Sequence, residues 1–208
     1  LKLNKFLIFS EEIFQPFLSQ MNYQKIREVK ENLKNEFESV FNLCLLIIQS
    51  FVENPNQMRF SIIESALNTF LVYQVWVPLK NIYGSNLINL LIELIDSIEL
   101  REITLKCLSD ITTRNPELDN PEESQQINPE LLKLYANAIA KLEKILPITL
   151  NFREEREKLI KTKSGNLKKY DNLCQQLAIF FTGFMRSHLS WIEPLANDFY
   201  NPDQTTII

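Results

Sequence analysis

Residues 58–113 read MRFSIIESALNTFLVYQVWVPLKNIYGSNLINLLIELIDSIELREITLKCLSDITT. Phe60, Ile63, Leu67, Phe70 and Leu71 fall at steps of three and four, the spacing that aligns side chains on one face of an α-helix. Pro78 disfavours helical geometry at the residue before it, so this helix ends near Trp76. A second, denser stripe runs from Asn86 to Ile95, and a third passes through Leu100, Ile103, Cys107, Leu108 and Ile111. Stripes separated by so few residues cannot bury themselves. They need helices before and after, which is the logic of a stacked helical repeat.

Those neighbours are written on both sides. Ile26, Val29, Leu33, Phe37, Val40, Cys44, Ile47 and Phe51 keep the helical period, so Asn22 to Val52 reads as one long helix. Its second half is nearly apolar all round and is expected to be buried on more than one side. Asn54-Pro55-Asn56 is a turn. Downstream, Arg114 to Pro129 carries prolines, acids and amides without a period and reads as an exposed connection. Leu131, Tyr135, Ala138, Leu142 and Ile145 resume the pattern until Pro147, and Leu167, Tyr170, Cys174, Leu177, Phe181 and Phe184 carry it to about His188. Asp198 to Ile208 reads as a loop or the start of another helix. Helix pairs are thus expected at about 22–76, 84–113 and 129–188, one segment of an all-α, α–α superhelix of HEAT-type repeats.

Composition agrees. The 208 residues hold only three glycines, too few for the turns of a strand-rich fold, and 45% are hydrophobic, enough for a sizeable core. A formal charge of −4 indicates no bulk attraction to nucleic acid or anionic membrane. The longest apolar run, Leu43 to Val52, is short of the ~20 residues that a membrane span requires. Leu1 to Phe9 reads as the tail of a helix, Ser10 as a possible cap for a short helix limited by Pro16, and the whole as an excised piece of a longer soluble protein.

Catalytic equipment is sparse. His188 is the only histidine, lies near the end of its stripe, and is expected to be a surface or cap residue. Cys44, Cys107 and Cys174 are scattered inside stripes, the pattern of small packing residues in a reducing compartment, not of a disulfide framework or zinc site. Gly84, Gly165 and Gly183 are isolated, so no phosphate loop is present. Neighbouring glutamates such as Glu154-Glu155 point about 100° apart on a helix and make poor acid–base partners. No cofactor is expected. Phe180, Phe181, Phe184 and Trp191 read as packing between layers.

One stretch invites a partner. Lys158, Lys161, Lys163, Lys168 and Lys169 surround Gly165 with no acid before Asp171. The stretch reads either as a solvated, mobile insertion or as an electrostatic contact for an acidic protein surface. Nucleic acid fits it poorly, because arginines and interleaved aromatics are missing.

Leu67-Asn68-Thr69-Phe70-Leu71, Trp76-Val77-Pro78-Leu79, Leu87-Ile88 and Leu105-Lys106-Cys107-Leu108-Ser109-Asp110-Ile111 resemble, in order and spacing, the exportin-1 family of nuclear export receptors in the importin-beta (karyopherin) superfamily. Ser10-Glu11-Glu12-Ile13-Phe14, Asn35-Glu36-Phe37 and Leu142 to Pro147 extend the resemblance. Lys80-Asn81-Ile82-Tyr83 departs from the Gly-Tyr-Ile-Phe usual there, as do the connections 114–129 and 152–169. The resemblance implies a ring-like superhelix that binds Ran-GTP together with cargo bearing leucine-rich signals. Such a receptor meets nucleoporins in the pore and shuttles between nucleus and cytoplasm. It also implies a segment from the receptor's N-terminal half, away from the cargo groove and its reactive cysteine, so none of Cys44, Cys107 or Cys174 takes that role. The alternative is another HEAT scaffold, an import-receptor relative or a phosphatase-type scaffold.

Overall fold

The computed structural model describes residues 23–114, 121–146, 150–162 and 166–199, and every regular element among them is helical. Helix α1 spans Tyr23–Glu53, α2 Phe60–Tyr73, α3 Leu79–Gly84 and α4 Leu87–Leu94. Then follow α5 Arg101–Thr113, α6 Pro121–Ile145, α7 Phe152–Lys161 and α8 Leu167–Phe199. The readings at Leu1–Phe9, Ser10, Pro16, Lys163 and Gly165 lie outside the described residues.

Two layers build up from these helices. In one, α1 packs on α4 and α4 on α6; in the other, α2 packs on α5 and α5 on α8. Contacts between α1 and α2 and between α4 and α5 join the layers. Between α6 and α8 the ring of Tyr135 stacks on that of Phe184, with centroids 3.6 Å apart. The core they enclose includes Cys44, Ile48, Leu67, Phe70, Leu91, Leu105, Leu108 and Phe180. Each such aliphatic or aromatic side chain contributes roughly 1.5–3 kcal/mol on burial.

The junction after α2 shows how sequence fixes direction. Gln74–Trp76 tightens into a 3-10 turn, Val77 is extended (φ −82°, ψ 126°), and Pro78 precedes the first turn of α3. Within the turn the Val77 amide donates to the Gln74 carbonyl at 3.1 Å. Arg114, at the far end of α5, donates from Nη1 to the carbonyls of Gln74 and Val77, each at 2.8 Å. Gln74 in turn donates to Asp110 Oδ2 at 3.1 Å. The Trp76 ring stacks on Phe37 of α1. An elbow encoded by one proline is therefore held in place by side chains some forty residues later.

Several expectations are corrected. The supposed connection 114–129 is helical from Pro121 onward, with Pro129 inside α6. Ile127 is buried in the main core, so packing anchors the turn in which Pro129 lacks an amide. The short helix α3 follows Pro78, where the stripe pattern marked none. Leu43 and Leu46 on α1 are 47% and 63% exposed. They lie on the side of α1 away from Phe41, Cys44 and Ile48, so the second half of α1 is buried on one side among the described residues. The backbone of α8 continues past His188 to Phe199.

His188 is the largest correction. It is buried, 1% exposed, and its Nε2 bonds the carbonyl of Thr112. That carbonyl belongs to the last turn of α5, where no intrahelical donor remains. His188 is thus a cap, but for a neighbouring helix rather than its own. Here α8 crosses closely: a Cβ on Gly183 would stand 2.8 Å from Thr113 Cγ2. Burial holds the imidazole below its ordinary value of 6.5, with the Thr112 bond opposing in part. The unfolded ring therefore takes a proton before the folded one, so this stabilisation is complete above pH 6.5 and is lost as pH falls toward the folded value. Melting midpoints measured from pH 7.5 to 5 should fall more steeply for the native chain than for His188→Gln. Parallel curves would show that His188 is not titrating in a buried cap.

Candidate functional site

The expected partner-binding lysines stand on a helical hairpin. Lys158 and Lys161 occupy the last turn of α7, and Lys168 and Lys169 the first turn of α8. Lys163 lies outside the described residues. The segment read as a basic loop is therefore largely helix, and its local chemistry explains why. The Asn151 side chain caps α7 by accepting from the amides of Arg153 and Glu154. Asn151 Nδ2 also donates to Glu154 at 2.8 Å, and Glu154 and Glu155 sit in the first turn while Lys158 and Lys161 sit in the last. This order suits the helix dipole, so a strongly charged stretch can be helical without a buried residue. An asparagine three residues before a glutamate was the available signal.

The helix is fastened to α8 by three surface contacts. Arg156 donates from Nε and Nη2 to the two carboxylate oxygens of Asp171, at 2.7 and 3.2 Å. This forked pair holds the Asp171 carboxyl below, and the Arg156 guanidinium above, their ordinary values. Tyr170 donates its hydroxyl to the Phe152 carbonyl at 3.1 Å, and the Phe152 and Tyr170 rings meet at 6.4 Å. Within α7, Lys158 pairs with Glu155 at 2.6 Å, which raises the ammonium above its usual value.

Between this hairpin and the corner joining α4 to α5 lies a cleft of about 450 Å³. Ile98, Leu159 and Leu173 supply apolar walls, and Glu102, Lys169 and Tyr170 supply polar ones. Sequence reading found Lys169 but missed Ile98, Glu102 and Tyr170, because residues seventy apart meet here only through the packing of α5 on α8. The three cysteines are free: Cys44 and Cys107 are buried and Cys174 half-buried. Burial pushes the Cys44 thiol up to about 12 and raises Cys107 as well, which disfavours a reactive thiolate. Among the described residues no cluster of histidine, cysteine or acidic side chains is placed to hold a metal ion, and no helix is long and apolar enough to cross a membrane.

Paired helices stacked in two layers define a fold of the HEAT-repeat class. Residues 2–108 match the family model described as Exportin 1-like protein. The chain is 28% identical over 186 residues to Protein EXPORTIN 1B of Arabidopsis thaliana, covering 89% of this chain and 15% of that protein. It is 27% identical over 187 residues to Exportin-1 of Schizosaccharomyces pombe, covering 89% and 16% respectively. With Exportin-1 of Dictyostelium discoideum it shares 29% identity over 199 residues, 91% of this chain and 17% of the other. The chain belongs to the exportin 1-like family and spans about a sixth of the length of these relatives.

The fastening of α7 is directly testable. Asp171→Asn removes the charge that Arg156 clasps, while every glutamate of α7 remains. Cleavage by a glutamate-specific protease at Glu154, Glu155 or Glu157 should accelerate, with the melting midpoint of the chain unchanged. Equal cleavage rates would show that the pair does not hold the helix.

Proposed function

We propose that this chain is an arc of a nuclear export receptor. The whole receptor binds Ran-GTP and cargo bearing leucine-rich export signals cooperatively, passes nucleoporins in the pore, and shuttles between nucleus and cytoplasm. The observation that carries this reading is the ordered likeness to exportin-1 proteins over 89% of the chain, on a fold of stacked helix pairs. The chain acts here as a binding scaffold, not an enzyme, with neither nucleic acid nor membrane insertion as part of its role. Its three helix pairs form one continuous segment whose packing transmits curvature from one neighbour to the next.

In this reading Lys158, Lys161, Lys163, Lys168 and Lys169 form a secondary contact for an acidic protein surface. What supports it is their placement: the described four are exposed, and α7, which carries two of them, buries no residue. The mechanism is a coupling free energy. Cargo and Ran-GTP favour the same superhelix conformation, so each raises the other's affinity, typically by about 5–150-fold.

Full-length receptor carrying this segment should show Ran-GTP-dependent binding of a leucine-rich signal peptide, measured by fluorescence anisotropy. Reversing the five lysines to glutamate should weaken the Ran-dependent complex several-fold and flatten its salt dependence. Unchanged affinity and salt dependence would remove the lysines from the interface. Equal peptide affinity with and without Ran-GTP would remove the receptor reading itself.

A further inference from the structure

We infer that Gln74 and Asp110 form a proton-operated clasp between the α2–α3 elbow and the end of α5, closed when the Asp110 carboxyl carries a proton and half-open when it is ionised. This device is independent of the hairpin lysines and of any partner.

A buried acceptor with nothing to accept is the starting point. Gln74 is 2% exposed, and its Nε2 donates to Asp110 Oδ2 at 3.1 Å. Its Oε1 is closed to solvent and meets no donor among the described residues. Such an orphaned amide oxygen is costly, and ionised Asp110 cannot relieve it, because a carboxylate only accepts. A protonated carboxyl can. Its Oδ1 hydroxyl donates to Gln74 Oε1 while Oδ2 goes on accepting from Nε2, so acid and amide close a ring of two hydrogen bonds. One proton is taken from solvent on closing and returned on opening. Gln74 stands where the chain turns from the first helix pair toward the second: its carbonyl accepts from Val77 and Arg114, and Trp76 beside it stacks on Phe37. A second side-chain bond at Gln74 therefore tightens the elbow itself.

The surroundings favour the neutral carboxyl. Asp110 keeps part of its surface in solvent, so protons reach it. Burial of the remainder raises it above its ordinary value of 3.8, and the Gln74 bond opposes in part. Among the described residues no charged group of α2, α4 or α8 acts on it. On α5 itself Lys106 and Arg114 lie one turn to either side, Lys106 engaged by Glu102 and Arg114 by the elbow carbonyls. Cys107 is close by, its thiol kept neutral by burial, and His188 of α8 bonds the Thr112 carbonyl two residues on. The folded carboxyl thus holds its proton to higher pH than the unfolded one. Stabilisation by the clasp is complete below pH 3.8 and is lost as pH rises through the folded value. This is the opposite direction to His188, whose stabilisation is lost as pH falls.

The test uses the 208-residue chain and its Asp110→Asn variant, which keeps the side-chain shape and supplies the missing donor at every pH. At pH 7.5 the variant should melt about 2–4 °C higher than the native chain, and its Val77 amide should exchange more slowly. The gain should shrink as pH falls toward 4, where the native carboxyl takes up its own proton; His188 is present in both chains and cancels from the difference. A second measurement needs no variant. In the native chain the carboxyl carbon-13 resonance of Asp110 and the side-chain amide of Gln74 should titrate together, with a midpoint above 3.8. A carboxyl that titrates at or below 3.8, or a Gln74 amide that does not follow it, would overturn the proposal. So would a variant that melts no higher than the native chain at pH 7.5, or a gain that does not change with pH.

Discussion

Helix α5 is enclosed by α2, α4 and α8, and the rest of the molecule is arranged around that enclosure. Leu105, Cys107, Leu108 and Ile111 are fully buried, and so are Thr104 and Thr112. Some of its polar groups find partners, while the Thr104 and Ser109 hydroxyls are buried without one. Thr112 bonds the Ser109 carbonyl, Cys107 donates toward the Leu67 carbonyl of α2, and His188 of α8 caps the Thr112 carbonyl. Apolar burial supplies the driving force, and these bonds select the register at which α2 and α8 sit against α5.

From that centre, order decreases outward. The elbow at Trp76-Val77-Pro78 is fixed by Arg114 and Asp110 at the end of α5. Helix α7 touches only α8 among its substantial contacts, buries no residue, and is held by a surface ion pair, a tyrosine hydroxyl and one ring contact. A helix attached this way can carry charge and an apolar cleft without cost to the core. That separation places candidate binding groups on an element whose substitution leaves the packed layers intact.

Much of this was legible in the chain because it is carried by period. The stripe from Ile26 to Phe51 gave α1 to within a residue at each end, and Pro78 marked the elbow. What the stripe did not carry was decided by tertiary contact or by capping. Pro129 looked like a stop, yet Ile127 buries itself and keeps α6 helical around it. Phe152–Lys161 looked like loop because it lacks a buried stripe, although Asn151 and the order of its charges encode a helix. His188 looked like a surface or cap residue of its own helix because its partner is seventy-six positions earlier, a fact that no local pattern holds. The cleft was invisible for the same reason, since Ile98 and Leu173 meet only once α8 crosses α5.

If α5 is the centre of one cooperative unit, native-state amide hydrogen exchange on the chain will rank its elements. The account predicts that amides from Leu105 to Ile111 are the slowest and exchange only through global unfolding, with α1, α4 and α6 close behind and α7 far faster. Exchange of α5 at a lower free energy than α1 or α6 would contradict it, because the helix pairs would then open as independent units.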